Sequence, residues 1–390
     1  MKHIAVVGAS LAGLSAVRAL RAQGFSGRIT VIGDENRRPY DRPPLSKDFL
    51  AGVITEDDLC LDDGDELAAE WLLGSAATAL DTATNTVELA DGRRVQADGF
   101  VIATGSRARR WPGSETLAGV HVIRTIDDAI ALRAELSHGG QMVVIGAGFI
   151  GAEVASTARG LGMNVTIVEA APTPLQVQLG ARLGAVVAQA HEMNGTTLIC
   201  GVGVAGLTSG PADRVTGVEL VDGRHLPADV VVVGIGGVPN IEWLRGSGVD
   251  LGNGVLCGPD GRTNIAGVVA VGDCAAWFDP STGGPRRVEH WTGALERPSI
   301  AVAALLSDGI DCGAPAKAPY FWSDQYGSRI QFAGITFADD EITIEAGSCE
   351  SGSFLATYRR DGRLVAVLGV DQPKLFTRWR RQLAPAPVSV

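Results

Sequence analysis

Short apolar runs recur along the chain, and most of them are followed directly by a glycine. Near-continuous apolar runs of this length are typical of parallel strands that are buried on both faces. We therefore predict strands at residues 3–7, 29–32, 100–102, 142–145, 165–168, 230–233 and 268–271. Helical spacing of apolar residues predicts helices at residues 14–21 and 151–161. Strands that alternate with helices indicate an α/β fold.

Two glycine-rich loops lie in these strand–helix units. The first runs from Gly8 to Gly13 and the second from Gly146 to Gly151. Each stands between a strand and a helix, in the arrangement of the mononucleotide-binding unit. Two such units in one chain predict a protein that holds two dinucleotides face to face and passes electrons between them. The alternative for either loop is an ordinary glycine turn in an α/β protein.

The first loop departs from the common GxGxxG pattern, because Ser10 stands where the second glycine allows close approach of a pyrophosphate. We expect the Ser10 hydroxyl to donate to a phosphate and the amides of the helix start, at Leu11 and Ala12, to favour the anion. Either Asp34 or Glu35, which follow the second strand, is expected to accept hydrogen bonds from the adenine ribose.

The second loop is a full GxGxxG with glycines at 146, 148 and 151, and Glu153 follows closely. Its second strand ends at Glu169. A carboxylate there suits a free ribose 2′-hydroxyl and repels a 2′-phosphate. No arginine follows to receive a phosphate, so we expect NAD, with NADH preferred over NADPH.

Further strand ends carry residues suited to a cofactor. Ala103, Thr104 and Gly105 follow one strand, and Gly272 with Asp273 follows another; each set is alternatively a simple turn. Residues 41–47 form a rigid basic stretch in which we expect Arg42 to meet phosphate and Lys47 to reach a flavin ring. A cation there favours the electron-rich reduced flavin. An exposed charged turn is the alternative.

Composition limits the class of protein. The chain has 390 residues, which suits two or three domains, and its net charge of −11 argues against nucleic acid as a partner. The six cysteines form no CxxC pair, so we expect neither a disulfide framework nor a metal site. No apolar run is long enough for a membrane span, and the first strand leaves no room for a signal peptide. We expect a cytoplasmic protein.

The region after about residue 319 is aromatic, with alternating segments at 341–344 and 364–367 that predict antiparallel strands. We interpret it as a third domain, and the Pro- and Ala-rich residues 384–390 as loosely held.

These motifs in this order resemble the FAD-dependent, pyridine-nucleotide-linked ferredoxin reductases of bacterial oxygenase systems, a group related to putidaredoxin reductase, rubredoxin reductases and apoptosis-inducing factor. The most specific segments lie at residues 42–47, 123–129, 146–153, 271–275 and 321–326. The resemblance covers essentially the whole chain.

The resemblance implies two Rossmann-like dinucleotide-binding domains, for FAD and NAD, and a C-terminal α+β interface domain. Residues 1–110 and 241–318 would form the FAD domain, 111–240 the NAD domain and 319–390 the interface domain. FAD would contact Ala12, Asp34, Lys47, Ala77, Arg124, Asp273, Glu289, His290 and Trp291. NADH would contact Phe149, Ile150, Glu153, Glu169 and Gly236.

The resemblance also implies an ion pair of Lys47 with Glu153 beside the flavin. Trp322 matches an aromatic residue near the flavin on the side that faces the partner, or is alternatively a core residue of the third domain. The hypothesis is that hydride passes from NADH to FAD, and that electrons then leave singly to an iron–sulfur ferredoxin that feeds an oxygenase.

Several alternatives stay open. The acceptor is alternatively a rubredoxin, and the protein is a monomer or a homodimer. A disulfide or peroxide reductase is disfavoured, because residues 43–47 contain no cysteine. A redox-dependent binding protein is a further alternative. Ferredoxins are typically acidic, so we expect a ferredoxin to dock on a local patch of basic side chains. The alternative is that the basic side chains are simply solvated. The candidates are Arg107, Arg109, Arg110, Lys374, Arg378, Arg380 and Arg381.

Overall fold

A computed structural model describes residues 1–61, 67–307 and 318–383. The helices are α1 (Leu11–Ala22), α2 (Ile126–Leu136), α3 (Phe149–Gly160), α4 (Gln176–Met193), α5 (Trp291–Leu306) and α6 (Pro373–Arg380). The strands of the first half of the chain are β1 (His3–Val7), β2 (Arg28–Ile32), β3 (Glu70–Leu72), β4 (Ala77–Asp81), β5 (Thr86–Leu89), β6 (Arg94–Gln96), β7 (Gly99–Ile102), β8 (Ser106–Ala108), β9 (Val120–His121), β10 (Gln141–Ile145), β11 (Asn164–Glu169) and β12 (Thr197–Cys200).

The later strands are β13 (Val204–Ser209), β14 (Val215–Leu220), β15 (His225–Pro227), β16 (Val230–Val233), β17 (Gly237–Pro239), β18 (Leu251–Gly252), β19 (Gly254–Cys257), β20 (Val268–Ala270), β21 (Ala275–Asp279), β22 (Gly284–Arg287), β23 (Tyr320–Gln325), β24 (Ser328–Gly334), β25 (Glu341–Ser348), β26 (Ser353–Arg360) and β27 (Arg363–Val370).

The first sheet has the strand order β20-β7-β1-β2-β3 and is parallel throughout. Its strands are apolar because both faces are buried: α1 and α5 contribute to the same core as β1, β2 and β7. Strand β20 joins this sheet only after the second sheet is complete. The chain therefore leaves the first unit and returns to it.

The second sheet has the strand order β12-β11-β10-β16-β9 and is also parallel. Alternation along β10 sends Met142 and Val144 to one core with α2 and α3, and Val143 and Ile145 to another core with the hairpin strands β14 and β15. The glycine-rich loops follow β1 and β10, the central strands of the two parallel sheets.

The third sheet is antiparallel, with the order β23-β24-β27-β26-β25. One face packs on α4, where Leu179 and Leu183 meet Phe332, Phe354 and Tyr358. The other face carries α6 through the buried Phe376. These contacts fix the C-terminal sheet against the second unit.

The predicted α/β architecture with two Rossmann-like units and a C-terminal α+β unit is confirmed. Every strand predicted above is present, although β20 ends one residue earlier than expected. Helix α1 begins at Leu11 rather than at residue 14, because its first turn consists of small and apolar residues that continue the helix from the loop. The expectations for Cys312 and residues 384–390 fall outside the described residues.

Candidate functional site

The first glycine-rich loop packs against the end of a neighbouring strand. A Cβ at Gly8 would lie 2.0 Å from the carbonyl oxygen of Ala103, and a Cβ at Gly13 would lie 1.8 Å from that of Gly8. No side chain fits at either position, so glycine allows β1, α1 and β7 to approach this closely.

Arg42 connects this loop to two other segments. Ser10, the N-cap of α1, has no capping hydrogen bond of its own, and its hydroxyl oxygen accepts from Arg42 Nε at 3.2 Å. The same guanidinium donates to the Arg124 carbonyl at 2.6 Å and to Glu35 Oε1 at 2.5 Å. The Tyr40 hydroxyl donates to Glu35 Oε2 at 2.5 Å. Both oxygens of Glu35 are therefore engaged in holding Arg42 beside the helix N-terminus.

The neighbouring acid is arranged differently. Asp34 is exposed at the end of β2, and in the part of the chain that the structure describes its carboxylate has no hydrogen-bond partner. Ala77 begins β4 two residues after Ser75, whose amide donates to the Gly33 carbonyl at 3.0 Å. Of the two acids that the sequence left open for a ribose, the geometry favours Asp34.

Arg124 and Asp273 meet at the same end of the first sheet. The Arg124 guanidinium donates to the Asp273 carboxylate at 2.6 Å and to the Ser106 carbonyl at 2.8 Å. A Cβ at Gly272 would lie 2.8 Å from the Cβ of Ala12, in the first turn of α1. Residues expected to contact one cofactor thus converge from both parts of the first unit.

The segment after β16 approaches the first sheet. The Thr104 hydroxyl donates to the backbone carbonyl of Asn240 at 2.6 Å, and the backbone amide of Asn240 donates to the Gly105 carbonyl at 3.0 Å. A Cβ at Gly237, next to Gly236, would lie 2.4 Å from Glu289 Oε1. Predicted contacts of the two cofactors are therefore neighbours here.

The glycines of the second glycine-rich loop have two different roles, close packing and open space for a ligand. A Cβ at Gly146 would lie 2.4 Å from the Gly234 carbonyl oxygen, and one at Gly151 would lie 2.2 Å from that of Gly146. A Cβ at Gly148, the N-cap of α3, would meet nothing within 4 Å. Two glycines therefore permit close packing, while Gly148 leaves open space at the helix N-terminus, where Phe149 and Ile150 begin the first turn.

Glu169 ends β11 beside this loop. Its Oε2 accepts from the Ala147 amide at 2.8 Å, and its Oε1 accepts from the Ala171 amide at 2.8 Å. These two bonds fix the carboxylate at the strand end, where a ribose hydroxyl of a nucleotide bound on α3 would reach it.

Lys47 and Glu153 form an ion pair at 2.7 Å, with 16% of the Lys47 side chain and 2% of the Glu153 side chain exposed. The ammonium also donates to the Pro43 carbonyl at 3.1 Å, and the Ser46 hydroxyl donates to Glu153 Oε2 at 2.5 Å. Lys47 follows the short 3₁₀ turn of Pro43–Ser46, and Glu153 lies in the second turn of α3. The pair therefore joins the first unit to the second.

Residues 41–47 bring the two loops into one site. Arg42 contacts Ser10 of the first loop, and Lys47 contacts Glu153, five residues after Gly148 of the second. Two helix N-termini that each favour an anion lie at the two ends of this segment. The residues present therefore fit one phosphate-bearing group at each of the two helix N-termini.

The start of α5 contributes aromatic and imidazole groups. Trp291 donates from Nε1 to Asp41 Oδ1 at 2.8 Å, and burial raises the pKa of the Asp41 carboxyl while this hydrogen bond opposes the rise. Burial also lowers the pKa of His290 to about 4. Among the described residues, His290 Nδ1 is buried without a hydrogen-bond partner. A polar ligand atom would satisfy that nitrogen.

The sequence did not identify Ser46 or Ser323 as partners of Glu153. Ser323 Oγ donates to Glu153 Oε1 at 2.7 Å from β23 of the C-terminal sheet, and it accepts from Gln325 Nε2 at 3.0 Å. Ser323 and Gln325 both belong to the aromatic segment at 321–326. Only their presence in that segment signalled a role, because alternation along a strand does not say which helix the strand meets.

Trp322 is partly exposed and is therefore not a core residue of the third unit. Its ring makes an edge contact with Trp291 at 5.8 Å between centroids and stacks on Tyr320 at 6.0 Å. The Arg380 guanidinium lies 4.1 Å above the Tyr320 ring. These side chains connect the start of α5 to α6.

The candidate docking residues fall into two groups. Lys374, Arg378 and Arg381 are exposed on or just after α6, next to Arg380. Arg109 and Arg110 are also exposed, whereas Arg107 is paired with Glu242 at 2.7 Å. Of these two groups, and within the part of the chain that the structure describes, only the α6 group is connected by aromatic contacts to the start of α5.

Among the described residues, no disulfide lies beside Lys47. The described cysteines at 60, 200, 257, 274 and 349 form no disulfide, and Ser46 precedes Lys47 at the flank of the site. Cys274 is fully buried, and burial raises the pKa of its thiol. Among the described helices, none is both long enough and apolar enough to cross a membrane.

Comparison with known proteins identifies two families along the chain. Residues 2–297 match the pyridine nucleotide-disulphide oxidoreductase family, and residues 320–387 match the reductase C-terminal family. The chain is 39% identical over 379 residues to the ferredoxin reductase component of a chlorobenzene dioxygenase from Cupriavidus sp. (strain PS12), covering 96% of this chain and 90% of that protein.

It is 38% identical over 379 residues to the ferredoxin–NAD(+) reductase subunit of a benzene 1,2-dioxygenase system from Pseudomonas putida, with the same coverage of 96% and 90%. Among solved structures, the covalent putidaredoxin reductase–putidaredoxin complex matches with a TM-score of 0.91 at 33% identity. That match covers 97% of this chain and 92% of the solved chain.

Proposed function

The chain belongs to the pyridine nucleotide-disulphide oxidoreductase family, and from this premise we propose that it is an NADH-dependent, FAD-containing ferredoxin reductase. The observation that carries the proposal is the Lys47–Glu153 ion pair, which joins the segment beside one dinucleotide loop to the helix that begins at the other. A reductase of this kind supplies an oxygenase with electrons from NADH.

The residues at the first sheet fit FAD. The N-terminus of α1 and Arg42 would hold its pyrophosphate, and Asp34 would hold its ribose. The pair of Arg124 with Asp273 and the segment from Glu289 to Trp291 would flank the rest of the cofactor. His290 Nδ1, which no described residue partners, is the observation that calls for a further polar group.

The second loop fits NADH. The open space at Gly148 admits a pyrophosphate against the start of α3, and Phe149 and Ile150 would flank it. The carboxylate of Glu169 would accept from a ribose hydroxyl and would repel a 2′-phosphate. Gly236, close to Glu289, would allow the nicotinamide end to approach the first site.

Bound FAD supplies a ring that takes two electrons with a hydride from NADH and gives them up singly. This chain positions the reacting groups around that ring. Lys47 holds a positive charge where negative charge develops, and its largely buried environment strengthens the interaction. Glu153 keeps the ammonium at that place, and only 2% of the Glu153 side chain is exposed to solvent.

The acceptor would dock on α6 and β23. Lys374, Arg378 and Arg381 present positive charge to an acidic iron–sulfur protein, and Trp322 with Tyr320 lies between them and the start of α5. The named relatives serve ferredoxins, and a rubredoxin is the alternative acceptor that the same surface would admit. We place the protein in the cytoplasm, where NADH and reduced acceptors are available.

The test is an anaerobic titration of the purified protein with NADH, followed by its visible spectrum. Bleaching of a flavin band by a single equivalent is expected for FAD as the redox centre. Uptake of two equivalents would instead require a second redox centre, such as a dithiol. Absence of a flavin band after FAD is added would refute the proposal. The rates at which the reduced protein then reduces a [2Fe–2S] ferredoxin and a rubredoxin are compared, and the faster reaction identifies the acceptor class.

A further inference from the structure

Glu153 of α3 accepts hydrogen bonds from two other parts of the chain, residues 46–47 and strand β23. Its Oε2 accepts from Lys47 Nζ at 2.7 Å and from Ser46 Oγ at 2.5 Å, and its Oε1 accepts from Ser323 Oγ at 2.7 Å. Ser46, Glu153 and Ser323 are each at most 2% exposed. This carboxylate is therefore the point at which the first unit, the second unit and the C-terminal sheet meet.

Strand β23 lies along α3 with matched spacing. Phe321 contacts the Phe149 ring at 4.3 Å between centroids, and Ser323 contacts Glu153. Two strand residues rise about 6.7 Å and four helix residues rise about 6 Å, so alternate positions of the strand face successive turns of the helix. The serine hydroxyl is therefore directed at the carboxylate by the packing of strand on helix.

Gln325 gives the Ser323 hydroxyl a second hydrogen bond. Gln325 Nε2 donates to Ser323 Oγ at 3.0 Å, which occupies an acceptor position of the hydroxyl and leaves its proton for Glu153 Oε1. Gln325 is itself 2% exposed. Solvent therefore does not compete for this hydrogen bond.

We infer that Ser323 is a positioning residue, through which the C-terminal sheet sets how strongly Glu153 holds Lys47 and hence how much of the lysine charge acts on the flavin. The inference rests on the proposed function, since it concerns the same ion pair. A donor on Oε1 draws negative charge toward that oxygen and away from the ammonium on Oε2. Without this donor, the carboxylate binds the ammonium more tightly.

Strand β23 joins the ion pair to the proposed docking surface. Trp322 and Ser323 are adjacent in β23, so they point to opposite faces of the sheet. The residue beside the proposed docking surface and the residue that holds Glu153 therefore belong to one rigid strand.

The experiment compares the FAD midpoint potentials of the wild-type holoprotein, Ser323→Ala and Ser156→Ala, each measured against redox dyes. Ser156 is the matched control, because it also joins α3 to the C-terminal sheet, by accepting from the Tyr326 amide at 2.7 Å, and among the described residues it makes no hydrogen bond to Glu153. We expect Ser323→Ala to shift the oxidised-to-reduced equilibrium about tenfold toward oxidised FAD, or about 30 mV more negative, since tenfold corresponds to that change for two electrons. Ser156→Ala should retain the wild-type potential.

Two further variants separate positioning from packing. In a Lys47→Met background, Ser323→Ala should cause no further shift, because the charge it modulates is gone. Ser323→Cys keeps nearly the same volume with a weaker donor and should shift the potential in the same direction as alanine.

A wild-type potential in Ser323→Ala, an equal shift in Ser156→Ala or a shift that persists without Lys47 would each overturn the inference while the protein still oxidises NADH. A wild-type protein that takes up no FAD would defeat the proposed function, and the inference with it.

Discussion

The indole nitrogen of Trp291 donates to the Asp41 carboxylate at 2.8 Å, which joins two segments 250 residues apart. Asp41 directly precedes Arg42 of the basic stretch, and Trp291 is the first residue of α5. The hydrogen bond therefore holds the returning part of the first unit against the segment that carries Arg42 and Lys47.

Removal of this bond should weaken FAD retention. In Asp41→Ala the indole loses its acceptor, and hydrogen bonds to charged groups contribute about 1.5–3 kcal/mol, so we expect FAD release to become about tenfold faster. Asp41→Asn keeps an acceptor oxygen and should stay within about twofold of the wild type. Flavin fluorescence after dilution measures the release rate. Equal rates of FAD release from Asp41→Ala and Asp41→Asn would mean that FAD retention does not depend on the hydrogen bond from Trp291.

The two glycines of the second loop should respond differently to alanine. Gly148→Ala places a methyl group in open space, so the melting temperature should stay near that of the wild type while the KM for NADH rises about tenfold. Gly151→Ala places a methyl group 2.2 Å from a carbonyl oxygen and should cost about 3 kcal/mol of stability. Calorimetry and NADH kinetics on both variants measure the two effects. An unchanged KM in Gly148→Ala would place the nucleotide elsewhere.

Glu169 should determine the choice of nucleotide. Its carboxylate is fixed by two backbone amides, so Glu169→Ala removes both the ribose acceptor and the charge that repels a phosphate. We expect the ratio of kcat/KM for NADH to that for NADPH to fall at least about tenfold, mainly through KM. Glu219→Gln, an exposed change in β14 of the same unit, is the control and should leave the ratio unchanged.

Docking on α6 predicts a selective effect of charge. Lys374→Glu with Arg378→Glu should reduce kcat/KM for a ferredoxin about tenfold at low salt, and the loss should diminish as salt screens the surface. Turnover with a small neutral quinone should not change. Arg109→Glu with Arg110→Glu is the matched control on the other exposed group. A larger effect from the control pair would move the docking surface away from α6.

His191 predicts a pH dependence of stability. It is 2% exposed on α4, contacts the Tyr326 hydroxyl at 2.8 Å, and burial lowers its pKa from 6.5 to about 4. Since the unfolded chain binds more protons between these values, stability falls as the pH drops through 6.5 and levels off below about 4.

Between pH 7 and pH 5, the wild type should lose about 2 kcal/mol more of unfolding free energy than His191→Gln, which cannot titrate there. Urea unfolding at both pH values measures the difference. Parallel losses in the two proteins would show that His191 titrates normally.

The sequence by itself determined the repeated units and the chemistry at each loop. Apolar runs that end at Gly8 and Gly146 predict buried parallel strands with a phosphate site after each, because strand burial and loop geometry are local properties of short segments. The acid at position 169 likewise follows its strand directly. These features need only the order of residues along the chain.

Tertiary structure decided which distant groups share a contact. The sequence placed Asp34 and Glu35 side by side, and only the fold showed that Arg42 and Tyr40 engage Glu35. It also brought Ser323 to Glu153 across 170 residues, because the C-terminal sheet packs on α3 and α4 through side chains whose pairing no local pattern specifies. Long-range packing depends on the shapes of whole surfaces, so its contacts could not be predicted from either segment alone.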